Sequence, residues 1–385
     1  MALTLAELCL DTEKDYGMTL IAGEKGIDNM VQWVHYIEGG EAPRFLHGYE
    51  LVFTTGMENR DTGWLLNFAE RLHEYGACGF VINLGPYIKA VPSEVIEYCN
   101  SVNLPLYTIP WETRIVDITY EFCHQIITDE KQSRSMAETF IYAINNPLKE
   151  ESYKPELEKY GFCDGDEYAV AAVKLNVNDK ERRESMERMA RYNLVRRLNR
   201  YTARHSIFTV DRIMFVICQG IEEADFEEQL KKQASALNAA FPEDRAFIGV
   251  SPYVKDSGLL FKSYRRSCDV VRLAESFEKQ FLRYADTGMF KLLMAVDDKE
   301  SIHDYYNDCL GNLIEYDNKN KTDYLDTLRC YLDNDSSIAE VAKISFVHRN
   351  TVNYKIKKIK EILNCELTQK DKLMLTLAFM TERII

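Results

Sequence analysis

The run "SIAEVAKISFVHRNTVNYKIKKIKEIL", Ser337–Leu363, holds the side chains of this sequence best suited to chemistry on a nucleic acid. Lys343, Arg349, Lys355, Lys357, Lys358 and Lys360 stand there against only Glu340 and Glu361, in a chain of 385 residues with formal charge −14. Ammonium groups neutralise phosphates, a guanidinium pairs bidentately with guanine, and a carboxamide with adenine. Arg349, Asn350, Asn353 and Tyr354, with Thr351 beside them, are therefore candidates for base edges. Lys355, Lys357 and Lys358 are candidates for the phosphates of double-stranded DNA. The acidic balance of the whole argues against a nucleic-acid coat or a membrane-surface protein, so the basic segment is a local device.

Two short elements must position these groups. Ser337-Ile338-Ala339-Glu340 fits a capping box, in which hydroxyl and carboxylate satisfy the free N–H groups of a helix start. Ile344-Ser345-Phe346 reads as a turn, and a second helix runs from about His348 to Leu363, ending at Asn364 as a left-handed cap. Val352, Ile356, Ile359 and Leu363 recur at i, i+4, i+7 and i+11 and make one apolar stripe. Asn350, Tyr354 and Lys357 lie opposite. A short helix, a tight turn and a longer helix with a polar outer face suit recognition in a major groove. The same periodicity also describes a solvated amphipathic helix on a bundle.

A second group of candidates lies in the first third of the chain. "ELVFTTG", "CGFVINLG" and "LPLYTIP" read as strands. "DTGWLLNFAERLHEYG", with Asp61 as cap, and "PSEVIEYCNSVN" read as the helices between them. That alternation predicts βαβ units and a parallel sheet. Small ligands sit beyond the carboxyl ends of such strands. Thr54, Thr55, Gly56, Asn83, Gly85, Trp111 and Glu112 fall there and would offer hydrogen bonds, close backbone approach and a stacking face to a planar metabolite. Ordinary turn residues would look the same, and neither a GxGxxG fingerprint nor a Walker loop is present.

From about Thr113 to Ile144 no Gly or Pro interrupts a helix, and Ile115, Ile118, Phe122 and Ile126 form an apolar seam. Such a helix either packs on a twin in a homodimer or crosses its own protein. Asp166 to Met294 reads β-α-β-β-α-β-α-β, with a hairpin around Asp211-Arg212. No apolar run approaches the roughly 18 residues of a membrane span. Glu7 and Asp11 interrupt any signal-peptide core. The ten cysteines are scattered singly and the seven histidines lack ligand spacing. They are expected to be reduced thiols of a cytoplasmic protein, with no metal and no cofactor.

The string "HRNTVNYKIKKI" closely resembles the C-terminal helix-turn-helix of bacterial purine-catabolism-regulator (PucR-type) transcription factors, with Asn353 and Lys355 where arginine is usual. "VQWVHYIEGGEAPRFLHGYELVFTTGM" and "GACGFVINLGPYIKAVPSEVIEYCNSVNLPLYTIPWETRIVDI" resemble the N-terminal sensor of the same family, with Tyr49 in place of a usual glycine. The middle order resembles the GGDEF-like domain that such regulators carry between them. Here Lys174, Leu175 and Asn176 on the first strand, and Thr209–Arg212 in the hairpin, stand where a cyclase needs its acidic metal site.

The resemblance implies a multidomain chain. Residues 1–128 would be an α/β ligand sensor with a parallel sheet, and 129–150 a helical linker. Residues 151–296 would be an α+β degenerate GGDEF-like domain, and 297–385 an all-α helix-turn-helix domain. It further implies a DNA-binding regulator rather than an enzyme, answering to a small-molecule effector, often purine-derived, and acting as a homodimer or higher oligomer. Two rivals stand beside it: a nucleotide-signalling enzyme built on the middle domain, and a metabolite-binding signalling protein that no longer binds DNA.

Overall fold

The apolar runs of the first third fold as strands because both of their faces are covered. In a computed structural model describing residues 3–39, 42–58, 63–296 and 298–383, two short helices, α1 (Leu5–Leu8) and α2 (Thr12–Tyr16), precede the first sheet. Its elements follow as β1 (Thr19–Ala22), β2 (Trp33–Tyr36), β3 (Glu50–Thr54), α3 (Trp64–Glu74), β4 (Gly79–Leu84), α4 (Ser93–Val102) and β5 (Leu106–Pro110). The strand order is β1-β5-β4-β3-β2. β2 to β5 run parallel to their neighbours, but β1 is antiparallel to β5, so the sheet is mixed rather than parallel as expected. β1 and β2 escape notice in the sequence because four residues are too few for an alternation to register. Asp61, the expected cap of α3, lies outside the described residues, and Gly63 at the N-cap makes no side-chain bond.

Val52, Phe80, Ile82 and Leu106 face α3 and α4 through Phe68, Leu72, Val95 and Cys99. On the other face, Leu51, Phe53, Val81 and Ile109 meet α1 and the beginning of α5 (Ile115–Asn145). The 31 residues of α5 form one unbroken helix, about 46 Å long at 1.5 Å per residue. Ile118, Phe122 and Ile126 of its seam are buried against the sheet of their own chain, which settles where that seam packs. Farther along, Met136, Phe140, Ala143 and Ile144 enter the core of the second domain.

That domain contains α6 (Glu150–Lys159), β6 (Tyr168–Asn176), α7 (Lys180–Leu198), β7 (His205–Val210), β8 (Ile213–Gln219), α8 (Glu223–Ala240), β9 (Arg245–Val250), α9 (Leu260–Ser276), β10 (Phe281–Arg283) and α10 (Phe290–Met294). The strand order is β10-β9-β6-β8-β7, with β6 antiparallel to both β8 and β9. α7 and α8 cover one face, as in a split βαβ unit. α6, α9 and the end of α5 cover the other. Asp211 and Arg212 both take positive φ (48° and 65°), the geometry of a two-residue hairpin.

A second contact joins the two domains beside α5. Tyr49 sits at φ 70°, a left-handed conformation that favours glycine, and its ring packs 5.1 Å from that of Tyr192 on α7. Tyr49 is thus held in that conformation beside a contact across domains.

The last unit is helical: α11 (Lys299–Asn320), α12 (Tyr324–Asp333), α13 (Ile338–Ile344), α14 (Arg349–Leu363) and α15 (Gln369–Thr381). Leu310, Leu313, Leu328, Val341, Val352, Ile356, Ile359, Leu375 and Phe379 share its core. All ten cysteines are free thiols. Among the described residues no helix is long and apolar enough to cross a membrane.

Candidate nucleic-acid interface and effector crevice

α13 starts at Ser337, whose hydroxyl accepts the Glu340 N–H at 3.4 Å. Only this half of the expected box forms, and the Glu340 carboxylate lies instead 3.9 Å from Lys343. α14 is capped by a group the sequence reading passed over, His348, whose Nδ1 accepts the Asn350 N–H at 3.2 Å. It ends at Asn364 in the left-handed region, as its position after the apolar stripe suggests. Val352, Ile356 and Ile359 are buried, and Leu363 is half-buried at the edge of the same core. Arg349, Asn350, Thr351, Asn353, Tyr354 and Lys357 are all exposed. Lys358 is half-buried and reaches Glu361 at 2.7 Å.

Lys355 departs from its expected role. Its side chain is 16% exposed, and Nζ lies 2.5 Å from both carboxylate oxygens of Asp323 at the start of α12. The lysine is a strut between helices rather than a free ammonium. Lys355→Ala should therefore lower the melting temperature of the helical unit, at about 1–3 kcal/mol. It should change the salt dependence of DNA binding less than Lys357→Ala does. A salt slope that falls equally in both variants would return Lys355 to the phosphate contacts.

In the first domain the seven expected residues do lie at the carboxyl ends of β3, β4 and β5, but several are already engaged. Glu38, two residues beyond β2, takes the donors. Its Oε1 accepts from the Thr55 N–H at 2.8 Å and the Thr55 hydroxyl at 2.5 Å. Its Oε2 accepts from the Met57 N–H at 2.9 Å and the Thr54 hydroxyl at 3.4 Å. The Tyr36 hydroxyl also donates to Glu38. A carboxylate after the short strand "WVHY" was the signal for this arrangement, but its partners lie 16 to 19 positions away.

The glycines are likewise spoken for. A Cβ on Gly56 would stand 2.6 Å from the Ile88 side chain, and one on Gly85 would stand 2.2 Å from the Trp111 indole. Their missing side chains admit neighbours from the same chain, not a ligand. Trp111 lies on Gly85, meets Tyr87 edge-on at 5.9 Å and keeps part of its ring in solvent. Glu112 is exposed at the rim. Asn83 is 4% exposed, and its Oδ1 has no hydrogen-bond partner. A buried acceptor left open is uncommon in folded proteins.

Partial burial pushes the Glu38 carboxyl up, but hydrogen bonds from Thr55, Tyr36 and the Thr55 and Met57 N–H groups outweigh it and hold the group below its ordinary range. The depressed value fixes the sign. The stabilisation is complete above the unfolded carboxylate's pKa of about 4.3 and is lost as pH falls from there through the folded value. Melting of the protein between about pH 5 and pH 3 should show this loss, and Glu38→Gln should flatten it. An unchanged acid limb in the variant would remove Glu38 from the account.

Comparison with known proteins now bears on both sites. Residues 8–126 match the Purine catabolism regulatory protein-like family, and residues 324–381 match the PucR C-terminal helix-turn-helix domain. The chain carries both terminal domains of PucR-type regulators. Three relatives from Bacillus subtilis (strain 168) agree. The proline-responsive transcriptional activator PutR is 31% identical over 32% of this chain and 30% of its own. The DNA-binding transcriptional activator AdeR is 22% identical over 63% of this chain and 58% of its own. The purine catabolism regulatory protein is 37% identical over 26% of this chain and 19% of its own. In each case this chain spans less than two thirds of the relative's length. The PucR helix-turn-helix match takes in α12 to α15 and hence the whole exposed face of α14.

Proposed function

We propose that this protein is a ligand-responsive, DNA-binding transcription regulator of PucR type and not an enzyme. The observation that carries this is α14: a buried stripe of Val352, Ile356 and Ile359 behind an exposed face of Arg349, Asn350, Thr351, Asn353, Tyr354 and Lys357. Such a helix presents amide and guanidinium groups to base edges while lysines meet phosphates. Residues 1–128 act as sensor, 129–150 as linker, 151–296 as a non-catalytic packing domain of degenerate GGDEF-like type, and 297–385 as the DNA-binding unit. The β-α-β-β-α-β order of the middle domain supports that assignment. A two-fold pair of these units would read two half-sites, so the working form is at least a homodimer. Its contact lies elsewhere than on the buried seam of α5.

The effector is a small planar metabolite of purine or related type. It binds at the carboxyl ends of β3, β4 and β5, where Asn83 would offer its open Oδ1, Trp111 a ring face and Glu112 a carboxylate, with Thr54 and Thr55 acting through Glu38. A thermal-shift screen of purines and ureides on the full chain, followed by calorimetry, tests it. A hit whose affinity survives Asn83→Ala places the effector elsewhere.

On the DNA side, Asn350→Ala should relax sequence preference by about 1–3 kcal/mol at one base pair. Lys357→Ala should weaken binding to all sequences and reduce the salt slope by about one. Fluorescence anisotropy on specific and random duplexes separates the two. Equal loss on both duplexes for Asn350→Ala would refute its base-reading role.

A further inference from the structure

Phe346 is 95% exposed, more than any other large apolar side chain among the described residues. It occupies the turn between α13 and α14 at φ 52°, where a bulky residue is disfavoured. Neither burial nor backbone preference accounts for an aromatic there, since glycine would suit the conformation and leave nothing apolar in water. The neighbours are informative. Val347, next in the chain, packs onto the helical core, while Ile344, the last residue of α13, is half exposed. Lys343 and Arg349 flank the ring in sequence, and both are exposed. Phe346 thus leaves one apolar side chain in solvent three residues before Arg349, the first residue of α14.

We propose that Phe346 is itself a DNA-contacting residue, whose ring meets the C5-methyl of a thymine in the major groove beside the bases read by Arg349 and Asn350. The thymine methyl is the apolar group that a base pair offers in that groove, and phenylalanine is among the side chains suited to it. The flanking cations match the phosphates on either side. The backbone strain is held in the free protein and its side chain is covered only in the complex. This inference rests on the DNA-binding reading given above.

The test uses the full chain and a duplex that it enriches from a random library, with anisotropy as the readout. Failure of the wild type to enrich any duplex would sink the DNA-binding reading itself, a different result from those that follow. Phe346→Gly should keep or raise the melting temperature, because the strain is relieved. It should lose about tenfold in affinity for the selected duplex and little for random DNA. Replacing the contacted thymine by deoxyuridine, which removes only the methyl, should weaken the wild type severalfold and the variant not at all. Affinity unchanged in Phe346→Gly, or the same deoxyuridine loss in both proteins, would overturn the assignment. So would intact DNA binding with a dimer that falls to monomer in sedimentation, which would make the ring a contact between copies.

Discussion

Val352→Asp is expected to unfold the C-terminal helical unit and abolish binding to specific and random DNA alike. Val352 is fully buried in a core shared with the apolar side chains of Leu310, Leu328 and Val341. An unpaired buried charge costs several kcal/mol, a large part of the 5–15 kcal/mol that holds a typical domain. Circular dichroism should show a loss of helix confined to α11–α15, and limited proteolysis should open that unit first. The two β-sheet domains have separate cores and should keep their transitions. The result contrasts with Asn350→Ala, five side chains of which neighbourhood remain exposed and which should leave melting unchanged. Retention of the full melting profile by Val352→Asp would mean that the stripe is not the inner face of α14.

Phe122→Ala should lower the stability of the first domain by about 3–5 kcal/mol, the cost of a large buried ring plus the cavity it leaves. Phe122 is fully buried, and its ring lies 6.4 Å from that of Phe53 on β3, between β4 and the edge strand β2. Tyr120, on the solvent side of the same helix, is 73% exposed, so Tyr120→Ala should not move the transition. Calorimetry distinguishes the two variants, and sedimentation adds a second test. Because the seam belongs to the fold of one chain, the sedimentation coefficient of folded Phe122→Ala should not change. Dissociation without loss of stability would restore the seam to a contact between copies.

These cases show what a sequence can and cannot disclose. The stripe of α14, its end at Asn364 and the uninterrupted α5 are legible because they rest on local periodicity, capping chemistry and the absence of breakers. The covering of α5 is not legible, since the same seam suits a neighbouring sheet or a twin. Lys355 reads as a phosphate contact until Asp323, 32 positions away, is brought against it by the packing of α12 on α14. Thr54 and Thr55 read as ligand donors until the fold supplies Glu38. Gly56 and Gly85 read as openings until Ile88 and Trp111 fill them. In each instance the residue type was informative about chemistry, and only tertiary packing decided which partner the chemistry would serve.

The continuity of α5 makes it a crank between domains. About 27 Å of rigid helix separates Ile126, in the first core, from Ile144, in the second. A tilt of about 5° at one end therefore swings the other by roughly 2 Å, and a rotation about the axis arrives undiminished. The Tyr49–Tyr192 contact lies off that axis, so the joint has two bearings rather than one. Free swivelling is suppressed, and any torque generated at the first sheet is delivered to α7 as well as to the far end of the crank.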